Sequence, residues 1–187
     1  MKNPFYMNCL DIYATQSKAS ELSRFQNATD LSKLRVMPLL SWDIFMSYYD
    51  EKIAQAVKHS ELAQVLSFAH KFQWKNNLKA AFNEKDYEAL IITDKRQNII
   101  WVNDGFTEMT GYSKTFALNK TPRFLQGEKT SVTTKNRIRE KIAKGEPFKE
   151  IIVNHKKDGT TYKCEVQVLP LYNDTTTHYI AFERKVG

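Results

Sequence analysis

Apolar positions along this chain follow two different periods, and the switch falls near residue 86. Leu62, Val65, Leu66, Ala69 and Phe72 recur at helical spacing and mark one apolar stripe, while Lys58, Glu61, Gln64, Lys71 and Lys75 decorate the other sides. Upstream, Ser41 can cap a helix that opens Trp42-Asp43-Ile44-Phe45, with Asp43 favourable in the first turn. Asn27 to Leu31 and Pro38 punctuate shorter helical pieces before it, and the first 85 residues contain no glycine. The stripe reads either as a packing surface within one molecule or as a dimer seam. The first reading is favoured because no heptad is sustained over several repeats.

From about Tyr87 the pattern becomes one of short apolar runs separated by turn residues. Ala89 to Ile92 and Ile99 to Val102 form a predicted hairpin across the polar segment Asp94 to Asn98. Asn103 or Asp104 can cap a short helix carrying Phe106, Met109 and Thr110 that stops near Gly111, and Ser113 can start another brief turn. Thr130 or Ser131 can cap a longer helix through Lys144, ended by Gly145 and Pro147. Three strands follow, Phe148 to His155, Thr160 to Leu171 and Thr177 to Glu183, turning at Lys156 to Gly159 and at Asn173-Asp174. This order predicts an α+β fold: a five-stranded antiparallel sheet with short helices bunched on one side, preceded by an all-helical extension. The expected division is 1–85 for the extension, capping the sheet or mediating dimerisation, and 86–187 for the sheet domain.

Composition narrows the class. The chain has 187 residues and a 42% hydrophobic content, enough for one good core plus a smaller attachment. No apolar run approaches the roughly 20 residues that cross a bilayer, and MKNPFYMNCLDIYATQ lacks a long apolar core with a cleavage site. A cytoplasmic location without a membrane partner is the expectation. Cys9 and Cys164 are too few for a disulfide framework, and no Cys/His cluster has metal-ligand spacing. The net charge of +7 is spread over both parts of the chain, with acids interspersed, which makes nucleic acid an unfavoured partner. One basic cluster stands out, Lys135, Arg137, Arg139, Lys141 and Lys144 on the longer helix. It reads as a solvated face from which one or two members can contact an anion.

Three stretches carry a resemblance: IITDKRQNIIWVNDGFTEMTGYS, TPRFLQG and NHKKDGTTYKCEVQVLPLYND. Residues 87–187 resemble a PAS domain, and among PAS domains they look most like the flavin-binding light-oxygen-voltage (LOV) branch, without an obvious gap from Gly105 to Asn154. The resemblance implies a pocket between the concave face of the sheet and the short helices. Position by position, it places Arg123 and Gln126 where a flavin phosphate and ribityl chain would be met, and Arg139 on the second phosphate arginine. Asn154 matches an asparagine for the pyrimidine edge, and Thr93 a small polar residue on the first strand. Guanidinium groups suit a phosphate because they form charge-assisted, often bidentate hydrogen bonds.

Four positions depart from that pattern. Pro122 replaces the cysteine whose sulfur would form the photoadduct, so the usual thiol chemistry is lost there. Thr121 replaces an asparagine near the ribityl chain or ring, Cys164 a second pyrimidine-edge asparagine, and Glu183 the glutamine that would face flavin N5. Strand alternation puts Cys164 on the core face with Val166 and Val168, and therefore against the pocket. The thiol reads as a small buried hydrophobe, with a relocated reactive thiol as the sharper alternative. For Glu183 the alternation along Tyr179 to Glu183 leaves the inward and the solvated orientation equally open.

What the resemblance implies is a sensory or regulatory module rather than an enzyme. Ser, His and Asp form no catalytic motif, and His59, His70, His155 and His178 read as surface or packing residues. Three occupancies stay open for the pocket: FMN, another small ligand, or a filled core. Three functions correspond to them. One is a sensor whose ligand or redox state alters how residues 1–85 pack. A second is a photoreceptor working by electron transfer to flavin, with Trp101, Tyr112 or Tyr162 as donors. A third is a ligand-free interaction scaffold. Nothing follows the last strand at Gly187 where an output helix could begin, so a signal is expected to leave through the N-terminal helices, the sheet surface or a downstream protein. A homodimer through the helices and sheet is the expected assembly.

Overall fold

The computed structural model describes residues 40–187. The helical pieces expected around Asn27 to Leu31 and Pro38, and Cys9, lie outside the described residues. Numbered in chain order, the described elements are α1 Leu40–Phe72, α2 Leu78–Glu84, β1 Ala89–Asp94, β2 Ile99–Val102, α3 Asp104–Thr110, α4 Lys114–Ala117, a 3-10 turn Pro122–Leu125, α5 Val132–Lys144, β3 Phe148–His155, β4 Thr161–Tyr172 and β5 Thr176–Lys185. The strands form one five-stranded sheet in the order β2-β1-β5-β4-β3, and every pairing is antiparallel. This is the α+β architecture expected from the sequence.

The helix boundaries follow from local chemistry. No glycine or proline interrupts residues 40–72, so the two helical segments read from the pattern are one continuous helix, and Ser41 lies within it rather than before it. α1 stops where Gln73 turns left-handed, at φ 54°, and the Trp74 N–H donates to Ala69 O at 2.9 Å. That i to i−5 bond is the Schellman closure, made here without glycine. Asn103 caps α3 through Phe106 N, Ser113 caps α4 through Phe116 N, and Ser131 caps α5 through Thr134 N, with Gly111 and Gly145 left-handed at the C-terminal ends of α3 and α5.

Each face of the sheet has its own core. On one face Leu90, Ile92, Leu171, Ile180 and Phe182 pack against Val65 of α1 and Leu78, Ala81 and Phe82 of α2, with Leu62, Leu66, Ala69 and Phe72 partly buried against them. The apolar stripe of α1 is therefore an internal packing surface. The compact unit that holds the sheet runs from Ile53 to Gly187 and takes in this part of α1 together with α2. Trp101 belongs to this face, tilted against Phe68 with ring centroids 6.3 Å apart. On the opposite face Ala89, Ile91, Ile152, Cys164 and Val166 meet Phe106, Met109, Ala117 and Leu125 from the short helices.

A buried polar knot joins α1 to the start of the domain. Glu61 accepts from the Tyr87 hydroxyl and from Asn103 Nδ2, both at 2.8 Å. Asn103 Oδ1 in turn accepts from Leu90 N of β1 and Phe106 N of α3. One side chain thus ties together a strand, a helix cap and the N-terminal helix, and leaves few buried polar groups unsatisfied there. Gly105 sits so close to the Glu88 carbonyl that no side chain fits in its place.

Candidate functional site

Strand register decides which side chains reach the space beneath α5. Thr93 lies opposite Tyr179, Ile91 opposite Ala181 and Ala89 opposite Glu183, while Val168 and Val166 of β4 lie opposite Ala181 and Glu183. These residues share one face, and Ile152 and Asn154 of β3 continue it. α5 and the 3-10 turn close the other side. The result is an open cavity of about 120 Å³, below the roughly 300–1,000 Å³ usual for occupied small-molecule sites.

The lining divides into an apolar middle and polar ends. Ile91, Leu125, Ile138, Ile142, Ile152, Val166, Val168 and Ala181 supply the middle. Arg123, Lys135 and Arg139 supply cations from the turn and helix side. Among the described residues neither arginine has a carboxylate partner; Arg139 Nη1 donates to Asn136 Oδ1 at 3.3 Å. By contrast Arg137 and Lys141, from the same basic cluster, are both bound to Glu150 at 3.1 and 2.7 Å. Of the five cations in the cluster, Lys135 and Arg139 thus line the cavity, and Arg137 and Lys141 fasten α5 to β3.

The segment Thr121 to Gly127 is shaped by its proline and its neighbours. Pro122 opens the 3-10 turn with its ring at the cavity wall, where its fixed φ suits the first helical position and no N–H is missed. Leu125 is buried, and Phe124 packs edge-on to Tyr112 and Phe116. Arg123 and Gln126 are left facing the cavity. Thr130 then anchors the loop, accepting from Gly127 N at 3.0 Å and donating to Val153 O at 2.6 Å. The ring of His155 packs against Gly127 so closely that a Cβ there would strike it. At the other end of α5, the Tyr179 hydroxyl donates to Ile142 O at 3.1 Å and holds the helix over the sheet.

Thr93, Arg123, Gln126, Arg139, Asn154 and Glu183 all line this one cavity. Thr121 and Cys164 do not. Thr121 is the residue before the 3-10 turn and makes no cap with its side chain. Cys164 is on the cavity-side face, as its alternation requires, but sharing a face is not the same as lining the space. Its thiol is fully buried and points to Glu183 Oε2, at 3.6 Å. Burial first, then the neighbouring Glu183 carboxyl, push the thiol well above its ordinary pKa. That opposes the thiolate a relocated reactive cysteine would need. Of the electron donors expected from sequence, Trp101 lies on the face of the sheet away from the cavity, whereas Tyr112 and Tyr162 pack into the cavity-side core. Tyr162 is the cross-strand neighbour of Asn154, and its hydroxyl is buried.

Glu183 faces inward and is almost completely buried. Its orientation is illegible from sequence because both faces of β5 are covered, so Ile180 and Phe182 on one side and Ala181 and Glu183 on the other show no polar face. Burial pushes its pKa up to about 7, and the Cys164 thiol offsets only part of that. Lys135, Tyr179 and Gln97 also line the cavity. For Lys135 the signal was its four-residue spacing from Arg139, which puts both on one helix face.

A PAS-domain family model matches residues 88–184, over half of the chain, and the chain belongs to the PAS family. Within it, the relatives are sensory and regulatory proteins. The chain is 30% identical over 101 residues to the nitrogen fixation regulatory protein of Klebsiella oxytoca, covering 53% of this chain and 20% of that protein. It is 39% identical over 88 residues to a blue-light photoreceptor of Listeria monocytogenes, covering 46% and 35%. The match thus spans well under two thirds of these relatives. Among solved structures, a LOV domain from an Erythrobacter litoralis blue-light activated histidine kinase superposes with TM-score 0.52 at 30% identity, over 55% of this chain and 99% of that one. The dark structure of the Aureochrome1 LOV photoreceptor gives TM-score 0.56 at 29% identity, over 60% and 85%.

Proposed function

We propose that this PAS domain is a LOV-like sensor whose cavity holds FMN without forming a cysteinyl adduct. The observation that carries the reading is the polarity of the cavity. Two arginines that have no carboxylate partner among the described residues and a lysine line it from the turn and helix side, apolar side chains fill its middle, and the buried Asn154 amide and Glu183 carboxyl line it from the sheet. A ligand with a phosphate at one end and a flat, uncharged, hydrogen-bonding ring at the other matches that sequence of environments. Arg123, Lys135 and Arg139 would hold the phosphate, Gln126 and Thr93 the polar chain and ring edge, and Asn154 the pyrimidine edge with both ends of its amide. The flavin would supply light absorption and one-electron redox chemistry. Pro122 has neither a thiol nor a hydroxyl to add to it.

A signal from the cavity has a route to the N-terminal helix. β1 contributes Ile91 to the cavity and Leu90 to the opposite core, and Leu90 N is held by Asn103, which is held by Glu61 of α1. A ligand that prefers one arrangement of β1 would shift the packing of α1 by its difference in affinity for the two. Output through α1, and dimerisation through it, belong to this proposal.

Native purification followed by FMN titration tests the reading, and illumination tests its chemistry. Saturable quenching of flavin fluorescence is expected, with no covalent flavin–thiol adduct formed under blue light. In Pro122→Cys, which places a thiol at the cavity wall, reversible bleaching is expected to appear. A covalent flavin–thiol adduct in the wild type, or a protein that never quenches FMN, would sink the reading.

A further inference from the structure

Among the described residues Glu183 has no ion-pair partner. It is buried in the cavity wall between Ala89 and Val166, its cross-strand neighbours, both apolar. Oε2 accepts from the Cys164 thiol, and among the described residues Oε1 has no partner. The titratable groups around it are few. From β4 come Cys164 and the Tyr162 phenol, and beside β1 stands exposed Glu88, a like charge. Across the cavity are Arg123, Lys135 and Arg139, none of which forms an ion pair with Glu183 among the described residues. Only the Cys164 thiol favours a carboxylate so placed, and burial outweighs it, whereas a neutral carboxyl is compatible with all of these surroundings.

A neutral carboxyl differs from a carboxylate in what it can recognise. It carries one O–H donor, whereas the carboxylate only accepts. With the thiol occupying Oε2, the free position faces the cavity. We infer that Glu183 is the specificity-determining group of the inner end of the cavity: it keeps a proton and donates it in a hydrogen bond to an acceptor atom of an uncharged ring, so that ligand uptake is linked to one proton. The inference rests on the flavin reading only for its probe, since an oxidised isoalloxazine edge carries several acceptor atoms and a single N–H. The sign follows from linkage. An occupant that binds the protonated form raises the carboxyl pKa further and loses affinity as pH rises through the value of the free protein.

FMN binding by wild type and Glu183→Gln, followed by fluorescence between pH 6 and 8.5, tests this. Glutamine keeps a donor and an acceptor at that position but does not titrate, and FMN phosphate ionisation affects both proteins alike. The ratio of the wild-type Kd to that of the variant is expected to be near one at pH 6 and to grow about tenfold per pH unit above pH 7. A ratio that stays flat, or that falls with pH, would overturn the inference. Infrared difference spectra of the free protein supply the second measurement: a carboxylic C=O band that disappears between pH 6 and 8 and is missing from Glu183→Gln. If FMN binds neither protein at any pH, the flavin reading fails. The proton on Glu183 is then decided by that band alone, and its absence overturns the inference.

Discussion

Glu183→Gln is expected to make the free protein more stable above neutral pH and nearly unchanged in acid. The side chain is buried in the native state, which raises its pKa to about 7 from an ordinary 4.5. A raised native pKa means that the folded protein holds a proton the unfolded chain has released. Stability contributed by the protonated carboxyl is therefore complete below about pH 4.5 and is lost as pH rises to about 7. Above that, charging the buried group costs about 3 kcal/mol, from roughly 1.4 kcal/mol per pKa unit. Urea midpoints of wild type and variant from pH 4 to 8 check this directly. The two curves should converge at the acid end and separate by about 3 kcal/mol at pH 8. Parallel curves would mean that the carboxyl is solvated or paired in a way the fold does not provide.

The second large effect concerns the cations. Replacing Arg123 or Arg139 by alanine is expected to weaken FMN binding by about tenfold each, and the double replacement by about a hundredfold, because each removes a charge-assisted hydrogen bond. The effect lies at the low end for such contacts because both guanidinium groups are exposed in the free protein and water screens them. Added salt should weaken the wild type more than the double variant, in which Lys135 is the one remaining phosphate cation. Arg137→Ala is the control. Its guanidinium is engaged with Glu150, so it should leave FMN affinity unchanged. Fluorescence titration at two ionic strengths separates these outcomes, and equal losses for Arg137 and Arg139 would contradict the assignment.

Much of the fold is legible in the sequence, for identifiable reasons. The sheet domain announces its turns with Asn, Asp and Gly, and its caps with Asn103, Ser113 and Ser131, so element order and bounds follow from local chemistry. The helical part is less legible. α1 lacks a breaker over its whole length, and it ends on Gln73, a residue that does not advertise a left-handed turn. Alternation locates the cavity-side residues where only one face matters, as along β4. It fails on β5, where both faces are buried and a carboxyl is hidden among apolar neighbours. Even on β4 it cannot separate lining from shielding, and Cys164 is the support behind Glu183 rather than part of the wall. The basic cluster on α5 needs three dimensions as well, since only its facing strand shows that Glu150 claims Arg137 and Lys141.

The central claim is that the cavity holds a flavin by its phosphate at one end and its neutral ring at the other. The most direct test compares the affinities of FMN and riboflavin for the wild-type protein at pH 6 and low salt. The two share the ring and ribityl chain and differ only in the phosphate. FMN is expected to bind saturably and about a hundredfold more tightly than riboflavin, the combined contribution of two charge-assisted contacts. Equal affinities, or no saturable binding of either flavin, would contradict the account.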